Sequence, residues 1–136
     1  MPIAYLLSVL LWVGLSAQQE EASARKVLTC EEIKRVASQE TVEIRSPFTV
    51  GRLAGVVVSP SGPIIPDVTV ELIDRKERCK SVVLTDEDGK FDLGMVKPGS
   101  YAVRISKLGF NTVIAKKVKV SPRSKERLKL EMPLSN

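Results

Sequence analysis

The chain has 136 residues, a formal net charge of +5, two cysteines and no histidine. That length fits one domain able to bury a real core. With 27% charged and 43% hydrophobic residues the composition is globular and excludes global disorder. The missing histidine excludes Ser-His and Cys-His nucleophilic sites and histidine-bearing zinc centres.

The chain opens with an apolar run, Ile3 to Leu15, closed by the polar break Gln18-Gln19-Glu20-Glu21. A spanning helix needs about 20 apolar residues, so this run is read as a signal peptide over 1–17. Ser16-Ala17 supplies small residues for cleavage after Ala17, with Ala22-Ser23-Ala24 as a second position; the alternative is a buried or interfacial helix. The protein is thus expected to be exported, periplasmic or extracellular, and to meet a membrane only during export. In such an oxidising compartment Cys30 and Cys79 are expected to form a disulfide. It would staple the N-terminal segment to the rest and close a loop of about fifty residues, worth about 4 kcal/mol in the loop-entropy model. A free buried thiol or a redox centre are the alternatives, and no Cys-x-x-Cys motif supports the latter.

Residues 18–51 read as an N-terminal extension. Thr29-x-x-Glu32 matches a capping box and predicts a short helix over about 29–39, with Cys30, Ile33 and Ala37 on one face. Thr41 to Ile44 alternates like a short strand, closed by Ser46-Pro47.

Residues 52–136 read as β throughout. Leu53 to Ser59 is a β-branched run ending at the turn cluster Pro60-Ser61-Gly62-Pro63. Val68, Val70 and Leu72 point inward, followed by the charged loop Arg75 to Lys80 and the strand Ser81 to Thr85. Asp86, Asp88 and Gly89 form a hairpin turn, and Phe91 and Leu93 return inward. Pro98-Gly99 makes the next turn, Tyr101, Val103 and Ile105 alternate inward, and Gly109 sits at the following corner. Val113 and Ala115, then Val118 and Val120, face inward with a change of parity that predicts a β-bulge near Lys116-Lys117. Leu128, Leu130 and Met132 line the last strand. Seven short strands without intervening helices predict an all-β, antiparallel β-sandwich preceded by the short N-terminal helix.

Asp86-x-Asp88-Gly89 has the look of a calcium loop, but the twelfth position from Asp86 is Lys97, so the EF-hand reading fails. Asp86 is expected to cap its own turn instead. No motif implies a metal or another cofactor.

The run from Gly55 to Leu134 resembles the carboxypeptidase regulatory-like domain. The matching pieces are Gly55-Val56-Val57, Ser61-Gly62-Pro63-Ile64, Pro66 to Val70, Thr85 to Phe91, Val96 to Tyr101 and Leu108-Gly109-Phe110. The resemblance implies a transthyretin (prealbumin)-like, seven-stranded Greek-key sandwich within a broader carbohydrate-binding-like group. It also implies a module that assists folding, presentation or binding and carries no catalytic residues.

One surface stands out. Lys117, Lys119, Arg127 and Lys129 would share an outer face if the last two strands paired antiparallel, giving a surface for anionic partners. The alternative is an edge strand guarded by lysines against aggregation. The expected function is a non-catalytic exported binding or scaffold module, with a carbohydrate-binding module and a cryptic hydrolase as alternatives. The expected partner is an unknown protein or an envelope polysaccharide. Nucleic acid is not expected, because few aromatics remain for base stacking.

Overall fold

Ten strands form among the described residues, which are 27–28, 30 and 40–135 of the computed structural model. They are β1 (Val27–Leu28), β2 (Thr41–Ile44), β3 (Phe48–Val50), β4 (Ala54–Val58) and β5 (Thr69–Ile73). They continue with β6 (Cys79–Leu84), β7 (Lys90–Asp92), β8 (Gly99–Ser106), β9 (Thr112–Val120) and β10 (Leu128–Glu131). The expected signal peptide, its cleavage after Ala17 and the helix over 29–39, Cys30 apart, lie outside the described residues.

Two sheets enclose one core. The larger has the order β1-β6-β5-β8-β9-β2, with β3 also on β9, and the smaller has the order β10-β4-β7. The inward sets read from alternation close the gap between them: Val68, Val70, Val103, Ile105 and Val118 from one side, Val57, Leu128 and Leu130 from the other. All of these are almost wholly buried. Burying a Val or Leu side chain is worth about 1.5–3 kcal/mol, so this interior dominates the stability of the fold.

The antiparallel expectation needs correction, because both sheets are mixed. β2 and β3 run parallel to β9, and β10 runs parallel to β4. The cause lies in two connections that cross between sheets side by side. Because β3 is parallel to β9, the chain leaving β3 towards β4 and the chain leaving β9 towards β10 travel in the same direction. Backbone hydrogen bonds hold them together, Ser121 N to Val50 O (2.9 Å) and Gly51 N to Glu126 O (3.2 Å). A Cβ at Gly51 would collide with the Ser124 carbonyl oxygen, so the crossing requires glycine there. Within the segment before residue 52, β2 and β3 build one edge of the larger sheet.

The parity change in β9 is real. Tyr101 pairs with Val118 and Val103 with Ala115, so β9 carries one more residue than β8 across this step, at Lys116-Lys117. Asp86 caps its turn as expected, its Oδ1 accepting from Asp88 N (2.8 Å) and Lys90 N (2.9 Å). Gly89 follows with a φ of 71°, in the region that suits glycine. The Pro98-Gly99 turn is tied by the Tyr101 hydroxyl, which donates to Lys97 O (2.6 Å). The Gly109 corner closes with Phe110 N on Lys107 O (3.1 Å).

Candidate functional site

The outward residues of the larger sheet line a cavity of about 570 Å³. Its floor follows from register. Glu71 on β5 lies opposite Arg104 on β8, Arg104 opposite Ile114 on β9, and Ile114 opposite Glu43 on β2. Residues paired in this way share a face, so alternation places two carboxylates and a guanidinium on one row. Arg104 Nη1 stands 3.8 Å from the Glu71 carboxylate, and Lys116 Nζ stands 2.9 Å from that of Glu43. Glu71 is buried, as is Ile73 beside it. The hydrogen bond and charge of Lys116 hold the Glu43 carboxyl below its ordinary range. The floor is thus a set of compensated charges.

One end of the cavity is basic. The β5–β6 turn brings Arg75, Lys76, Arg78 and Lys80 beside Pro98, Gly99 and Ser100, around a second hollow of about 490 Å³. Asp74 is spent inside that turn. Its Oδ1 accepts from Arg78 N and Lys76 N (2.9 Å each), and its Oδ2 lies 3.4 Å from the Arg78 guanidinium. The Arg78 N–H foremost, with Lys76 N–H and the Arg78 charge, keeps the Asp74 carboxyl low against the opposing pull of burial. Arg75 is left to reach Ser100 Oγ at 3.4 Å.

The structure does not bring Lys117, Lys119, Arg127 and Lys129 together. β9 and β10 belong to different sheets, so Lys119 and Lys129 project from opposite outer faces. Lys119 is in register with Ser100, which lines the basic end of the cavity, and Lys117 lies two residues before it on β9. Arg127 lies elsewhere, in a cavity of about 590 Å³ with Asp86, Phe91 and Asp92. There Arg52 makes a two-point contact with Asp92, Nη2 to Oδ2 at 2.7 Å and Nε to Oδ1 at 3.2 Å. Burial pushes the Asp92 carboxyl up, but Arg52 and the Gly94 N–H outweigh it and hold the group low.

Cys30 and Cys79 are joined by a disulfide, their Cα atoms 6.0 Å apart, and Cys79 also lines the first cavity. β1 pairs with β6 just beyond it, Leu28 opposite Val82 and Val27 opposite Val83. The bond therefore fixes the N-terminal segment at the margin of the cavity, and it accords with an oxidising environment. Sequence reasoning took Arg75 to Lys80 for a plain charged loop and missed its part in this surface. The available signal was the placement of four cations between two strands of one face.

The family model for the carboxypeptidase regulatory-like domain matches residues 52–133, from just before β4 to just after β10. No curated protein matches the chain in sequence. Among solved structures, the chain is similar to the crystal structure of 3-chlorocatechol 1,2-dioxygenase from Rhodococcus opacus 1CP. The identity is 12%, the TM-score 0.44, and the overlap covers 88% of this chain and 78% of that chain.

Proposed function

The chain belongs to the carboxypeptidase regulatory-like domain family, and from that premise we propose that it is an exported, non-catalytic binding or scaffold module, periplasmic or extracellular. Its fold is then the family's Greek-key, transthyretin-like sandwich, extended at one sheet edge by β2 and β3. The family domain is a non-catalytic β-sandwich module, which supports binding over turnover.

The binding surface in this reading is the outer face of the larger sheet. One observation carries the assignment: the cavity over Glu71 and Arg104 has its charges compensated on the floor, while at one end the unspent cations Arg75, Lys76 and Lys80 outnumber the unspent carboxylate Glu77. Such a face attracts anionic ligands by its field, and the paired floor keeps it folded without them.

Two measurements test the proposal. N-terminal sequencing of exported protein should find a chain that begins after Ala17; a mature chain retaining Tyr5 and Trp12 refutes export by a cleaved signal peptide. Ala102→Tyr, which fills the middle of the cavity, should abolish capture of a partner from envelope extracts. Lys129→Glu, on the opposite sheet, should leave capture intact. The reverse pattern would move the binding surface to the smaller sheet.

A further inference from the structure

A row of side chains runs across the basic end of this face. Arg75 Nη2 lies 3.4 Å from Ser100 Oγ, Ser100 is in register with Lys119 on β9, and Lys119 with Thr49 on β3. Cation, hydroxyl, cation and hydroxyl therefore alternate from the end of β5 across three further strands. Neighbouring strands are about 4.8 Å apart, so the backbone positions that carry the two cations lie about 10 Å apart, with the Arg75 guanidinium reaching over to the Ser100 hydroxyl between them. Lys117 borders the row beside the bulge, and Lys76 and Lys80 border it at the turn. Among the described residues none of Arg75, Lys76, Lys80, Lys117 and Lys119 has a carboxylate within ion-pair distance. None of the exposed large apolar side chains, Val42, Ile64, Met95, Leu108 and Leu134, lines either cavity here.

Resting on the reading of this face as the binding surface, we propose that the row takes an acidic polysaccharide whose carboxylate or sulfate groups sit on alternate sugars. An extended chain of pyranoses advances by close to one strand spacing per sugar. Laid across the strands, its charged sugars meet Arg75 and Lys119, and its neutral sugars meet the hydroxyls of Ser100 and Thr49. An extended acidic peptide shows one-face side chains at about 6.6 Å intervals, out of step with the row. A folded acidic protein would want an apolar or aromatic anchor at the centre of its contact, and the row offers none. Base stacking needs an open aromatic face. Tyr101 instead packs against the core with its hydroxyl on Lys97 O.

The test is calorimetric titration of the mature chain with hyaluronan oligosaccharides, which carry a carboxylate on every second sugar, with polyglutamate and duplex DNA as rival probes. Binding of the oligosaccharide should saturate at about 50 mM NaCl and weaken strongly at about 500 mM, where exposed charges are screened. Arg75→Ala and Lys119→Ala should each weaken it by about 3- to 5-fold, the scale of one exposed ion pair. Lys129→Ala on the opposite sheet should change it by less than about 2-fold, as an uninvolved surface charge does. All three residues are exposed, and unchanged circular dichroism would show the variants folded. Tighter binding of polyglutamate or DNA overturns the proposal, as does an equal effect of Lys129→Ala or no saturable binding. If the oligosaccharide fails while another ligand binds and is lost in Ala102→Tyr, the binding-surface reading survives and the acidic polysaccharide falls.

Discussion

Replacing Gly89 by alanine should separate two costs that a turn glycine can hide. The residue has a φ of 71°, and an L side chain there costs about 1–2 kcal/mol from its own backbone. The added Cβ would also stand 2.8 Å from Val57 O, 3.0 Å from Ile64 Cβ and 3.2 Å from Ile65 N. None of these can retreat freely. Val57 N donates to Gly89 O (2.8 Å), and Ile65 N donates to Val57 O (3.0 Å). Forcing the group in is an overpacking change of about 1–3 kcal/mol, so Gly89→Ala should cost about 2–5 kcal/mol in all. Gly94 supplies the control. Its φ is 83°, yet a Cβ there meets nothing within 4 Å, so Gly94→Ala should cost only the backbone share of about 1–2 kcal/mol. Urea unfolding followed by circular dichroism, with the slope unchanged between variants, measures both. Equal losses at the two positions would refute the steric clamp.

Reduction of the Cys30–Cys79 bond, whose ends are 49 residues apart, should lower stability by about 4 kcal/mol on the loop-entropy model. The β spectrum should survive, since the bond lies outside the main core, and a loss below about 1 kcal/mol in paired urea titrations would contradict the staple. Deleting Lys117 should restore plain alternation between Ala115 and Val118 and cost less than about 1 kcal/mol, whereas deleting Lys119 would turn Val120 outward and cost several times more. Equal melting temperatures for the two deletions would refute the bulge assignment. Acid unfolding follows from Glu43, Asp74 and Asp92, whose carboxyls are held below their ordinary values. Each binds its proton less readily folded than unfolded, so its contribution is complete above the ordinary carboxylate value and lost as the pH falls through the depressed one. Asp92→Asn should therefore flatten part of the decline in urea midpoint below about pH 4; an unchanged profile would count against the Arg52 contact.

The interior was legible because side-chain direction in a strand has a period of two. Val68, Val70 and Leu72, and the broken alternation at Lys116-Lys117, declared their faces within a few residues. Turn chemistry is equally local: Asp86 reaches amides two and four positions on, so the spacing of Asp86 and Gly89 was enough. The cation surface was half legible. Lys117 and Lys119 were read as outward on alternation alone, but their neighbours were assigned from sequence adjacency. The chain that follows β9 crosses to the other sheet, and it carries Arg127 and Lys129 away. Arg75 and Ser100 take their place from segments some twenty to forty-five residues earlier.

The amino-acid order by itself thus determined which side chains face inward, where the chain turns, that the module is all β and which family it resembles. All of these are set by contacts a few residues long. The tertiary structure decided which strands are neighbours, that β10 runs with β4 rather than against it, and which cations stand together. Those choices depend on two connections crossing between sheets side by side, a pairing of distant backbone segments that no local pattern encodes.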